Sequence, residues 1–337
     1  MNHHDVWLSV LVPAYNADRY VGRCLESIVT QPAHGVEVIV VDDCSTDATA
    51  TVLAEVRRRH PARLVVHAHA RNRGIAATRN HLVNLARGTY LWFMDADDAM
   101  LPNAIAALRD IVGRSAPDLV LCDYLRGSPR GDRRGRSFDG PARTIVRDPS
   151  TILAGLFEAG QLHPWSKISR RELWSPALRF PEGRVFEDVA VMPRLASRAA
   201  RVYHEPEPWV WYRKWEGSIV ATMNPAKCVD LVRASAEFPA DLRRLGLRLS
   251  NRALFAARHF AARHFIRAMR HLGAGPDAES RGRARRECLA LFGEALEGQT
   301  AWLERRYLRQ GSLWHSARLR YWMHRARRDD HAASTAA

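Results

Sequence analysis

The 337-residue chain is 47% hydrophobic and 26% charged, an ordinary balance for a globular protein able to bury a sizeable core. It holds no run of about 18 apolar residues to span a bilayer, and its five cysteines are widely spaced with no Cys-x-x-Cys pair, which argues against a disulfide framework or a cysteine-ligated zinc. The net charge of +15 is uneven, with 22 Lys and Arg against 11 Asp and Glu from Pro225 onward, and such asymmetry points to an anionic partner.

In chain order, Trp7 to Pro13 is apolar and β-branched and predicts a buried strand. Apolar residues at helical spacing follow from Asp18 to Val29. Val36 to Val41 predicts a second strand ending at Asp42-Asp43, and a helix to Arg59 is expected to be capped by Ser45 or Thr46. Leu64 to Val66 gives a third strand. Asn72-Arg73-Gly74 turns into a helix from Ile75 to Arg87, stopped by Gly88 as a C′ residue. Thr89 to Met94 is a fourth strand, and Asp118 to Tyr124 a fifth. This βαβ alternation predicts an α/β protein with a mostly parallel sheet flanked by helices.

Ligands of such sheets sit beyond the carboxyl ends of the strands. Pro13-Ala14-Tyr15-Asn16, Asp42-Asp43, Asn72-Arg73-Gly74 and Asp95-Ala96-Asp97 all fall there. Period two puts Asp95 and Asp97 on one side of their strand end, where paired carboxylates suit a hard divalent cation such as Mg²⁺ or Mn²⁺. No Gly-x-Gly-x-x-Gly follows the first strand, which counts against a dinucleotide fold. Asp98 reads as the N-cap of the next helix.

Further on, Arg126 to Pro141 reads as a mobile loop, and Thr151 to Glu158 and Arg170 to Trp174 as short helices around Trp165-Ser166-Lys167. Glu187-Asp188 opens a helix to Ala199, and Arg201 to His204 and Trp209 to Arg213 read as strands. From Pro225 long Ala/Arg/Leu helices follow, broken at Gly273 to Pro276, with a basic amphipathic stretch from Ala301 to Arg328. His67, His69, His259 and His264 read as ordinary surface or core residues. The expected division is 1–224, with nucleotide binding in 1–98 and the acceptor and base region in 99–224, then a basic helical region 225–330 and a disordered tail 331–337.

These residues together resemble the family 2 glycosyltransferases with the GT-A (Rossmann-like) fold. The matching stretches are Val10 to Asn16, Val40 to Asp47, Asn72 to Asn80, Asp95 to Asp98 and Glu187-Asp188, so the resemblance covers Leu8 to Val220. It implies inverting transfer of a sugar from a nucleotide-diphosphate sugar, a UDP-sugar by expectation, to a hydroxyl of a glycan, lipid-linked glycan, cell-wall polymer or secondary metabolite. Pro13, Ala14, Tyr15, Asn16, Asp43, Asn72, Gly74, Arg79, Asp95 and Ala96 would line the nucleotide-sugar, with Asp43 accepting from a uracil-type imide. Asp97, with Asp95, would bind Mg²⁺ or Mn²⁺. Asp188 would be the general base and Glu187 its orienting neighbour, while Trp165, Lys167, Arg213 and Ser218 would approach acceptor or diphosphate.

Two other classes compete: a non-catalytic basic scaffold of the same fold binding membrane or polyanion, and a nucleotidyltransferase, disfavoured because no Gly-rich, Lys-containing loop follows the first strand. No nucleic acid partner is expected. The N-terminus shows no secretory pattern, so a cytoplasmic location is expected, with peripheral membrane contact through the C-terminal basic helices.

Overall fold

The computed structural model describes residues 6–32, 34–128, 131–214, 222–242, 244–273 and 277–334, with side chains described through Arg327. Strands β1 (Leu8–Ala14), β2 (Val36–Asp42), β3 (Leu64–Ala68) and β4 (Tyr90–Phe93) alternate with helices α1 (Val21–Val29), α2 (Thr49–Arg59) and α3 (Ile75–Leu85). β5 (Ala99–Met100), α4 (Ala104–Ser115), β6 (Leu119–Arg126), β7 (Arg133–Gly135), β8 (Ile145–Val146) and α5 (Pro149–Ala159) follow. β9 (Lys167–Arg170), α6 (Glu187–Arg198) and β10 (Val202–Tyr212) complete the sheet, whose main path runs β3-β2-β1-β4-β9-β6-β10-β5.

β1 pairs parallel with β2 and β4, and β2 with β3, so the carboxyl ends of these four strands share one edge. Both faces are covered, as continuous apolar strands demand. Val10 and Val12 point with Trp92 toward α1, α2 and α4. Leu11 points with Ile39 and Phe93 toward α3, α5 and α6, as period two dictates.

The chain ends in α7 (Pro225–Asp241), α8 (Asn251–His271), α9 (Ala278–Leu296), α10 (Thr300–Arg309) and α11 (Leu313–Ser334). These share a core of their own around Phe265, Phe292 and Leu303. α7 and α8 also send Phe238 and Phe260 into the layer under the sheet. Among the described residues no helix is long and apolar enough to cross a membrane.

Several expectations change. Ser45 and Thr46 do not cap α2; they serve the Asn16 loop, and the Thr49 amide takes Asp47 Oδ1 at 2.9 Å instead. Gly88 is not a C′ residue, since α3 ends at Leu85. Its missing side chain is required because a Cβ there would stand 2.5 Å from the Ser9 backbone nitrogen. Asp98 does not cap α4, which starts after Asn103. The stretch 126–141 is not wholly a loop: β7 pairs with β6 and Phe138 is buried against His204, anchoring it. Arg170 closes a strand rather than opening a helix, leaving only a 3-10 turn over Arg171–Leu173. The two late strands form one, β10, with register shifts between Glu205 and Val210, where Pro206 and Pro208 lack an N–H. α11 continues to Ser334, past the expected start of the tail at 331, through the strong helix formers Ala332 and Ala333.

Candidate active site

The strand ends are laced together by side chains that are themselves mostly buried. After β1 the chain turns through Asn16, which takes a positive φ of 46°, a conformation Asn tolerates better than most residues. Its Oδ1 accepts from the Thr46 amide at 2.8 Å, and its own amide donates to Ser45 Oγ at 2.9 Å. Pro13 and Ala14 are buried, and Tyr15 stands 50% exposed at the tip of the turn.

At the end of β2, Asp43 is buried and accepts from the backbone amides of Arg73 and Gly74 at 2.9 and 2.8 Å. Gly74 has φ 84° at the start of α3, so glycine is needed to present that amide. The Asp43 carboxylate thereby pins the Asn72-Arg73-Gly74 turn to the edge of the sheet, and Asn72 is exposed beside it. A further partner went unread in the sequence: His69 Nδ1 lies 2.6 Å from Asp43 Oδ1, and its Nε2 lies 2.9 Å from His81 Nδ1. Burial, then the neighbouring His69, His67 and Arg73, pull the His81 imidazole down. The available signal was position, since His69 follows β3 and β3 is the neighbour of β2.

The center of the cleft is Arg79. From the buried face of α3 it donates to Asp95 Oδ1 at 2.8 Å and to Glu187 Oε1, tying the end of β4 to the first residue of α6. Expected to line the nucleotide-sugar, Arg79 is buried here, with Nη1 and Nη2 each on a carboxylate. Burial alone would lower its proton affinity, but the Asp95 and Glu187 carboxylates outweigh that and hold it charged.

Burial pushes the Glu187 carboxyl up to about 7; Arg79 pulls against this and Asp188 adds to it. Asp188 moves the other way. Burial would raise it, but the nearby His163 imidazole, the charge of Arg79 and the Val189 amide together set it below the usual range. His163 Nδ1 is 3.7 Å from Asp188 Oδ2, and nothing in the spacing of the sequence singled this ring out.

Asp95 and Asp97 are half-buried, with Ala96 buried between them. Asp98 is buried behind. Burial raises its carboxyl well above the ordinary range, and the charges of Asp97 and Asp95 add to this. Arg213 closes this side: its amide donates to Asp98 Oδ1 at 2.8 Å, its Nε to the Asp97 carbonyl at 2.9 Å, and its guanidinium lies over Tyr20 and Trp211. Ser218 lies outside the described residues.

Trp165 and Lys167 do not reach the cleft. Trp165 is fully buried among His163, Tyr124 and Tyr212 and cannot stack on a sugar. Lys167 is buried, its Nζ donating to Gln161 O, His163 O and Ser166 Oγ at 2.7, 3.0 and 2.8 Å. Burial draws its ammonium down to about 7.

An α/β sheet with acids at its strand ends, covered by helices and followed by a helical region, defines the class as the GT-A fold. The structure of S. aureus TarS 1-349 in complex with UDP-GlcNAc superposes with a TM-score of 0.72 at 22% identity, covering 96% of this chain and 92% of that one. The mannosyltransferase PcManGT from Pyrobaculum calidifontis, in complex with GDP-Man and Mn²⁺, gives 0.52 at 18% identity over 95% of this chain and 86% of that one. Within that class, residues 9–172, just under half of the chain, match the family model for glycosyl transferase family 2. It is 31% identical to EpsH of Bacillus subtilis over 221 residues, which is 63% of this chain and 62% of that relative's length.

Proposed function

We propose that the protein is an inverting, metal-dependent glycosyltransferase that moves one sugar from a UDP-sugar to a hydroxyl of a glycan or lipid-linked acceptor. The observation that carries this reading is the Arg79 bridge, which brings Asp95 at the end of β4 and the Glu187-Asp188 start of α6 into one cleft. The UDP-GlcNAc bound by TarS supports a uridine donor.

In this reading Tyr15 offers its exposed face to the base, and Asn72 and the Gly74 turn border the nucleotide. Asp43 already serves two backbone amides and His69, and a carboxylate has room for about one further donor, such as a uracil imide. Asp188, kept ionised by its surroundings, takes the proton of the acceptor hydroxyl as that oxygen attacks the anomeric carbon. Glu187 does not act on the acceptor; through Arg79 it fixes where α6 begins.

Asp95 and Asp97 fit a hard cation in donor chemistry, being oxygen ligands on one strand end. Among the described residues no group of three or more His, Cys, Asp or Glu could hold an ion by itself, so in this reading substrate phosphates would complete the site. A bound Mg²⁺ or Mn²⁺ would neutralise charge on the departing nucleoside diphosphate.

The test is Asp188→Asn. Transfer from a UDP-sugar should fall by about 10²- to 10⁴-fold, the usual share of a general base, while UDP with Mn²⁺ still raises the melting temperature. Undiminished transfer by this variant, or no thermal response of the native chain to any UDP-sugar, overturns the reading.

A further inference from the structure

Away from the donor side, α8 and the start of α11 enclose a cavity of about 600 Å³. Arg263, Arg267 and Arg270 line it from α8, at a spacing that puts them on one helix face, with Arg318 and His315 opposite and His264 beside them. Other arginines of this layer face carboxylates: Arg194 of α6 faces Asp241, Arg233 of α7 faces Glu287 and Arg252 of α8 faces Glu158. Among the described residues none of the four cavity arginines makes such a pair. Four guanidinium groups converging on one concavity repel each other unless an anion sits between them, and their planar forks match phosphate oxygens.

One wall of the cavity is linked to the proposed base, Asp188. Arg263 Nη1 would be 3.7 Å from a Cβ placed on Gly160, and from Gly160 the chain runs directly to His163, the ring next to Asp188. His264 lies within Coulombic reach of Asp188, and its Nδ1 is buried with no hydrogen-bond partner.

We propose that this cavity is the phosphate subsite for the acceptor: it holds a phosphomonoester or phosphodiester group of the acceptor and so presents a neighbouring hydroxyl to Asp188. The acceptor role rests on the transferase reading above; the anion site does not. A concave site suits a phosphate on a flexible chain better than a bilayer surface, which needs a flat or convex face.

Inorganic tripolyphosphate is the probe, titrated calorimetrically into the full chain in EDTA, so that no divalent cation can hold it in the donor cleft. The native chain should bind it, and Arg263→Ala with Arg267→Ala should weaken binding by about tenfold or more, given the strength of charge-assisted bonds to phosphate. Arg270→Glu, an exposed change that leaves the α8 core untouched, should act in the same direction. The melting shift with UDP and Mn²⁺ should remain as in the native chain. Equal tripolyphosphate affinity in all three proteins overturns the proposal. So does loss of sedimentation with phosphatidylglycerol vesicles while tripolyphosphate binding persists, because the arginines would then be a membrane contact. If the variants lose tripolyphosphate but the native chain never binds UDP, the anion site stands and only the transferase reading falls.

Discussion

His163 lies against Trp165 and Tyr212, with ring centroids 5.0 and 5.4 Å away, and turns Nδ1 toward Asp188. That stacking fixes the imidazole, and the imidazole helps to hold the Asp188 carboxyl low. Replacing it with leucine keeps the stack's bulk but removes the polar partner, so burial weighs more and the carboxyl keeps its proton to higher pH. His163→Leu is therefore expected to move the acid limb of kcat/KM upward, with the UDP melting shift unchanged; an unmoved limb would show that the ring only packs. The sequence drew attention to this stretch but chose the wrong members, because stacking aromatics and cations suggest ligand contact. Which side of the 3-10 turn Pro164–Ser166 faces the cleft depends on tertiary packing, and Trp165 and Lys167 turn inward.

Arg79 belongs to the scale of elements, since it joins α3, the end of β4 and the start of α6. Taking it away leaves the buried Glu187 and the half-buried Asp95 without their shared counter-charge, and breaking one partner out of a buried ion pair costs roughly 3–5 kcal/mol. Arg79→Met is expected to lose stability of that order in urea unfolding, along with transfer activity. Arg79→Lys should recover little, because one ammonium cannot span both acids as the guanidinium fork does. A melting profile like that of the native chain would deny the bridge its structural part. The strands that carry this site were legible, since β1 and β2 are largely apolar and β-branched and are buried on both faces. β9 was not. Its Lys-Ile-Ser-Arg sequence is short and polar, and it is a strand only because antiparallel partners β4 and β6 flank it. Likewise the motif acids were visible, but the pairing of residue 79 with residue 187 spans separations that no local pattern reports.

At the scale of the whole molecule, the C-terminal helices and the sheet share apolar surface. Phe157 of α5 meets Phe238 of α7 and Phe260 of α8 with ring centroids 5.7 and 5.4 Å apart. A fragment ending at 224 would leave that layer uncovered and is expected to bind hydrophobic dyes and aggregate. In the full chain Phe260→Ala should cost about 3–5 kcal/mol and lower one cooperative transition. Two separate transitions, with only the later helices affected, would mean that the regions fold independently. The basic character of this region was plain from composition. That its arginines divide into paired and unpaired sets was not, because partners such as Arg233 and Glu287 lie far apart in sequence.

The loop that follows β2 also gives the cleft a built-in reporter. Cys24, Cys122, Cys228 and Cys288 are buried, whereas Cys44, set between Asp43 and Ser45, is partly open to solvent. A thiol-reactive fluorophore added to the unmodified chain would thus settle on one sulfur at the edge of the proposed donor site, and its emission is expected to follow nucleotide arrival without any engineered label.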